Sequence, residues 1–261
     1  MRVFAIALLI LAVLIPTSVR AQIQPAHGFD QTAMDATFAV YGEYPDAKTH
    51  KAVERFICSG FIFQADATGY LIMSAGHCVD KDPIDSTYSV AEQIGAPTMH
   101  VECVFARLVP ASKDYGDVAV FHLATTKKYP VLELGDESSE HIGSATINPN
   151  FALGLGKQLA HGEIASAMMT RLEECPLCEG QFMLHEFAGS GASGSAIISA
   201  ETHKVVGILV GQIQPVGYAI EPISTANLAR QENSLFFEMH RVPPPDKKVR
   251  TGLFGPPNED E

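Results

Sequence analysis

The sequence predicts an all-β protein, a barrel or a sandwich. Three observations point there: many short apolar β-prone runs, glycine-containing connections between them, and little helical periodicity. The length, 261 residues with 46% in the hydrophobic set and 18% charged, is ordinary globular composition with enough chain to bury a sizeable core. The formal net charge of -12 argues against broad electrostatic attraction to nucleic acid or to an anionic membrane.

The first element is not part of the fold. After Arg2, the run from Phe4 to Ile15 is continuously apolar, and residues 16–21 form a polar, small-residue exit. A run of 12 residues is short of the roughly 20 a membrane-spanning helix needs, and it matches the central region of an export signal. Residues 1–21 are therefore expected to be a signal peptide cut after Ala21, with no stable membrane insertion afterwards. The destination is then periplasmic or secreted. In such an oxidising compartment, disulfides are available to the five cysteines, Cys58, Cys78, Cys103, Cys175 and Cys178. The odd count leaves at least one outside any internal bridge. Cys175 and Cys178, separated by two residues, are expected to form a loop clip, with metal and redox readings as alternatives.

Residues 22–49 are mixed, and Pro25, Gly28, Gly42 and Pro45 argue against a long regular element, although Asp30 to Tyr41 suits a short amphipathic segment. Phe56 to Phe63 is apolar, and a turn-like Asp66 to Gly69 leads into Tyr70 to Met73, which predicts a hairpin. Further strands are expected over Val101–Val109, Val118–Leu123, Ala145–Ile147, Ile164–Met169, Phe182–His185, Ala196–Ser199, Val205–Val210 and Tyr218–Ile220. Gly154 and Gly156 are too few and too close for a phosphate-binding loop and are expected to make a turn. A C-terminal helix is expected over Ser224 to Met239, capped by Ser224, followed by a flexible tail over residues 241–261.

Three residues carry the chemistry. A serine hydroxyl is a poor nucleophile at neutral pH unless a base takes its proton as the bond forms, and a carboxylate is what holds an imidazole in the required tautomer. His77 stands in Ser74-Ala75-Gly76-His77-Cys78, and Asp117 opens the apolar run Val118 to Phe121. Ser193 lies within Gly189-Ser190-Gly191-Ala192-Ser193-Gly194-Ser195. Asp114 and Asp80 are rivals for the carboxylate, in positions that suit solvated turns better. Ser190 and Ser195 rival Ser193, because glycine-serine runs are usually plain loops. Glycines 191 and 194 permit a tight turn whose amides, those of Gly191 and Ser193, form a candidate oxyanion hole.

These segments, in the order His, Asp, Ser with spacings of 40 and 76 residues, resemble the chymotrypsin-like (trypsin-like) serine peptidases. The resemblance covers about residues 50 to 225. It implies two packed six-stranded antiparallel β-barrels within a peptidase domain over 50–240, the barrels meeting near 130–142. It also implies a Cys58–Cys78 bridge around the histidine loop, and a triad of His77, Asp117 and Ser193 that hydrolyses peptide bonds through an acyl-enzyme. The implied partner is an extended polypeptide substrate, pairing with backbone near Val210, Gly211 and Gln212. The pocket entrance falls near Phe187, with Gly217 and Tyr218 at its back. No cofactor or metal is required.

The departures are informative. Ala192 stands where the family often has Asp or Asn, so activation by a newly cut amino terminus is not expected. Ser195 replaces a glycine and is similar to the glutamyl-endopeptidase branch. With His185 as a pocket wall, it points to an acidic side-chain preference, unless it merely bonds its own turn. The same two departures also suit the competing reading, an inactive homologue that acts as a protein-binding module.

Overall fold

The computed structural model describes residues 28–79, 87–107, 117–166, 181–213 and 217–223. A short helix, α1 (Gly28–Asp35), precedes twelve strands. Strands β1 (Thr37–Pro45), β2 (Ala52–Ala65), β3 (Gly69–Ser74), β4 (Tyr88–Ala91), β5 (Met99–Arg107) and β6 (Val118–Ala124) make up the first barrel. Strands β7 (Ala145–Asn150), β8 (Gln158–Ser166), β9 (Phe182–His185), β10 (Ala196–Ser199), β11 (Val205–Ile213) and β12 (Gly217–Pro222) make up the second. Each set closes on itself in antiparallel pairing, in the orders β1-β2-β3-β6-β5-β4 and β10-β11-β12-β9-β8-β7. Closure leaves neither sheet an open edge, which is how a chain of many short strands avoids pairing with its neighbours.

The only α-helix among the described residues is N-terminal, which corrects the expectation of a C-terminal one as the helical element of the fold. Ser224–Met239 lies outside the described residues. The amphipathic segment expected from Asp30 to Tyr41 is divided: the helix ends at Asp35, and Thr37 begins a strand. The reason is burial. Phe38, Ala39 and Val40 are all fully enclosed, and a backbone buried on both sides must find partners, which β2 and β4 supply. Helix α1 is anchored to the second barrel instead, with Phe29 stacked on His203 and Lys157 Nζ donating to the Met34 carbonyl at 2.6 Å.

Strands β9 and β10 have the bounds the sequence predicts, whereas β8 begins earlier, at Gln158. The core is largely one body. Phe38, Phe61, Ile72, Met73 and Phe121 fill the first barrel, and the same cluster continues through Ile147, Ile198, Val205 and Ile208 of the second. A smaller cluster, including Ile164, Leu184, Ile197 and Ile220, lies on the other face of the second sheet. The barrels therefore pack through a shared core that includes side chains of β7, β10 and β11.

Cys58 of β2 and Cys78, just past β3, form a disulfide, as the resemblance implies. Cys103 is a free thiol whose pKa burial pushes up to about 12, so it is inert at neutral pH. Cys175 and Cys178 lie outside the described residues. Because the bridge closes a 20-residue separation around the histidine turn, its removal in Cys58→Ala/Cys78→Ala is expected to cost about 3 kcal/mol. Denaturant unfolding of the oxidised protein and the double variant measures this; equal midpoints would contradict it.

Candidate active site

The register of β3 on β6 assembles the first half of the site. Ser74 pairs with Ala119, so the turn leaving β3 and the residue entering β6 face each other at one end of the barrel. His77 sits in a short 3-10 turn over Gly76–Cys78, and Asp117 immediately precedes β6. Asp117 is buried, and both of its carboxylate oxygens are used on His77. One accepts the His77 backbone N–H at 2.8 Å, and the other meets ring Nδ1 at 2.6 Å. A carboxylate only accepts, so the ring proton resides on Nδ1, and Nε2 is left with a free lone pair. Burial of the ring lowers the His77 pKa, but the hydrogen bond and charge of Asp117 together outweigh it and raise the value above the ordinary imidazole range. Asp80 and Asp114, the rival carboxylates, lie outside the described residues.

The Ser193 loop of the second barrel supplies the other half of the candidate site. Gly191 and Gly194 adopt φ of +92° and +84°, the left-handed region that favours glycine. Ala192 N–H donates to the Gly189 carbonyl and Ser195 N–H to the Ala192 carbonyl, giving two consecutive tight turns around Ser193. The loop is docked on the first barrel: the Ser59 N–H donates to the Ser193 carbonyl at 2.9 Å, and Gly194 lies flush against Ser59, Ser74 and Ala75. Ser193 thus sits on the barrel junction within the same loop cluster as His77, although no hydrogen bond joins its hydroxyl to the ring. Such a contact is often long before substrate arrives. Among the described residues, the amides of Gly191 and Ser193 donate to no protein acceptor.

The other sequence-predicted positions fall around this loop. Phe187 is 68% exposed, a large apolar surface six residues before Ser193. Tyr218 clamps the next residue: its hydroxyl donates to the Ala188 carbonyl and accepts the Ala188 amide. Gly217 has φ +157° and lies against the Leu184 carbonyl, where a Cβ would come within 2.6 Å. In β11 the register shifts between Leu209 and Gly211, so Val210 is a bulge, while Gly211 and Gln212 pair with Ala219 and Tyr218. Ser190 is exposed, and Ser195 is fully buried with a hydroxyl that finds no partner, so neither its own turn nor the cleft engages it. His185 is exposed and lies 3.9 Å from Glu163.

Two features are missed by sequence reasoning. Glu186, next to Phe187 in the chain, has its carboxyl pKa pushed up to about 8 by burial, against the opposing effect of a hydrogen bond from Asn148. Its second oxygen has no partner, and neither does the buried Thr146 hydroxyl nearby. Nothing in the local sequence distinguishes Glu186 from a loop carboxylate. Ser59, between Cys58 and Gly60, is also unmarked, yet it is wholly buried at the junction. The sulfurs of Cys58 and Cys78 lie within ligand distance of His77, but the disulfide occupies both, so the trio offers no thiolate to a metal.

The chain matches the family described as Trypsin-like peptidase domain over residues 58–208. No curated protein sequence matches it significantly. Among solved structures it is similar to a variant of the HtrA-type protease AlgW with a decapeptide, at TM-score 0.62 and 15% identity over 79% of this chain and 66% of that one. The same protease with a tripeptide gives TM-score 0.60 and 18% identity over 80% and 64%. With a decapeptide it gives 0.62 and 17% over 81% and 67%. The chain thus spans about two thirds of the length of these proteases, and at such identities the likeness is one of fold. The family match covers more than half of the chain, from the bridged cysteine at 58 through the Ser193 loop to β11, and so the chain belongs to the trypsin-like peptidase domain family.

Proposed function

We propose that the chain is an exported serine endopeptidase. The observation that carries this is the Asp117–His77 couple, with both carboxylate oxygens committed to the histidine, on the same barrel junction as Ser193 and two unengaged amides. His77 Nε2 accepts the Ser193 hydroxyl proton as Oγ attacks the peptide carbonyl carbon. The carbonyl π electrons move onto oxygen, which the Gly191 and Ser193 amides receive. Asp117 holds the resulting imidazolium. His77 then returns the proton to the leaving nitrogen as the C–N bond breaks, leaving an acyl-Ser193. Water, deprotonated by His77, attacks that ester, and Ser193 departs with the proton.

The substrate is an extended polypeptide. Its backbone pairs with β11 near Val210, Gly211 and Gln212, and a side chain enters beside Phe187 and Ala188. The similar HtrA-type structures hold a tripeptide and decapeptides, which accords with this mode. Export to the periplasm or beyond rests on the apolar Phe4–Ile15 segment, and no described helix is long and apolar enough to cross a membrane. A fluorophosphonate probe is expected to label the mature protein and to lose that labelling in Ser193→Ala. Undiminished labelling of the variant would overturn the proposal.

A further inference from the structure

We propose that Ser59 is a positioning residue that sets the oxyanion-binding amide of Gly191, acting from the first barrel on a loop of the second; this rests on the peptidase reading above. The serine is fully buried, and all four of its polar functions cross the junction or brace it. Its N–H donates to the Ser193 carbonyl at 2.9 Å, and its carbonyl accepts the Ser74 hydroxyl at 2.6 Å, three residues before His77. Its own hydroxyl accepts the Phe151 N–H at 3.0 Å and donates to the Gly191 carbonyl at 2.7 Å. Because the Phe151 amide occupies the acceptor side, the serine proton is directed to Gly191.

The consequence follows from peptide planarity. A trans peptide points its C=O and N–H in opposite directions, so holding one aims the other. The Ser190–Gly191 unit is held by Leu153, whose N–H donates to the Ser190 carbonyl at 2.6 Å, and the Gly191 N–H must point away from that contact. The Gly191–Ala192 unit is held at its carbonyl by Ser59 and at its N–H by the Gly189 carbonyl, 2.9 Å away. Two planes pinned on either side of one Cα define the φ and ψ of that residue. Gly191 needs such pinning, since glycine has no Cβ to restrict it and explores both signs of φ with little penalty. Of the clamps, Ser59 is the one made by a side chain, and it is the one a substitution can remove.

Leu153 receives its own support from the same wall. It is held at φ +60° in a turn whose entry is bonded by Asn150 Oδ1 accepting the Ala152 N–H at 2.9 Å. Asn150 in turn donates to Asn148 Oδ1 at 3.0 Å. The Ser59 and Leu153 clamps around Gly191 are therefore both braced from the end of β7, one through Phe151 and the other through Asn150.

The test compares wild type, Ser59→Ala and Ser59→Gly, the last removing the hydroxyl with no added atoms should the alanine variant fold poorly. Expected are a kcat lowered about 10- to 100-fold with KM changed less than about 3-fold, and a fluorophosphonate labelling rate lowered in parallel. Affinity for a peptide boronic acid, whose tetrahedral adduct places an oxygen at the amides, should fall by a similar factor, while a product peptide binds all three proteins equally. Unchanged kcat and labelling in the folded variants would overturn the role of Ser59 alone. Equal losses of product and boronic-acid affinity would overturn it too, by showing general disruption. A wild type that does not label overturns the peptidase reading and this inference with it.

Discussion

Asp117→Asn is expected to lower kcat by about four orders of magnitude with a small change in KM. The two oxygens of Asp117 accept two different hydrogens of His77, the backbone N–H and the ring Nδ1–H. Asparagine has one oxygen. If it stays on the backbone N–H, its amide NH2 faces Nδ1 and forces the proton to Nε2, where the lone pair for the serine proton is needed. The fold is preserved and the base is in the wrong tautomer. The pH profile supplies the second readout. In the proposed mechanism activity requires neutral His77, whose pKa Asp117 raises, so wild-type kcat/KM is expected to fall as pH drops through a midpoint above the ordinary imidazole value of 6.5. Loss of the carboxylate charge shifts that midpoint down in the variant. A loss below tenfold, or an unmoved midpoint, would contradict the assigned role.

Gly194→Ala is expected to destabilise the fold by more than about 4 kcal/mol, a fall in melting temperature of about 10 °C or more, and to abolish labelling of Ser193. Position 194 has φ +84°, and a Cβ there would lie 2.2 Å from Ser74 Oγ, 2.3 Å from the Ser59 carbonyl and 2.8 Å from the Ala75 N. Two of these are backbone atoms of the first barrel, so relief requires the nucleophile loop and the histidine turn to move apart. Gly95→Ala is the matched control: φ is +78°, yet no atom lies within 4 Å of the added carbon. It should cost only the backbone term, about 1 kcal/mol. Calorimetry of both variants separates steric conflict at the junction from dihedral strain, and equal losses would show that the close packing of Gly194 is not what matters.

The strands most legible in the sequence are those bounded by clear turn residues, as in β9 and β10, whose ends fall where expected. Strand β1 was obscured because Gly42 and Pro45 lie within it, and both are tolerated there for local reasons. Pro45 is its last residue, and Gly42 has the Tyr44 ring packed over it. Strand β4 (Tyr88–Ala91) is not among the expected strands, its short apolar run being broken by Ser89. The chemical residues His77, Asp117 and Ser193 stood out because their motifs are local and their order is informative. Ser59 and Glu186 did not, because a serine between a cysteine and a glycine, or a glutamate after a strand, has no local mark of what covers it.

The chain itself therefore determined the all-β character, the glycine-bearing turn around Ser193 and the residue types available for proton transfer, since these depend on side-chain periodicity and on the dihedral freedom of single residues. Only the tertiary structure decided that Asp117 commits both oxygens to His77, that Ser59 reaches across to Gly191, and that one carboxylate oxygen of Glu186 is buried without a partner. Those contacts join residues 40, 132 and 38 positions apart in the chain, the last being Glu186 with Asn148. Their geometry is set by barrel register and by the packing of two barrels, which no local pattern encodes.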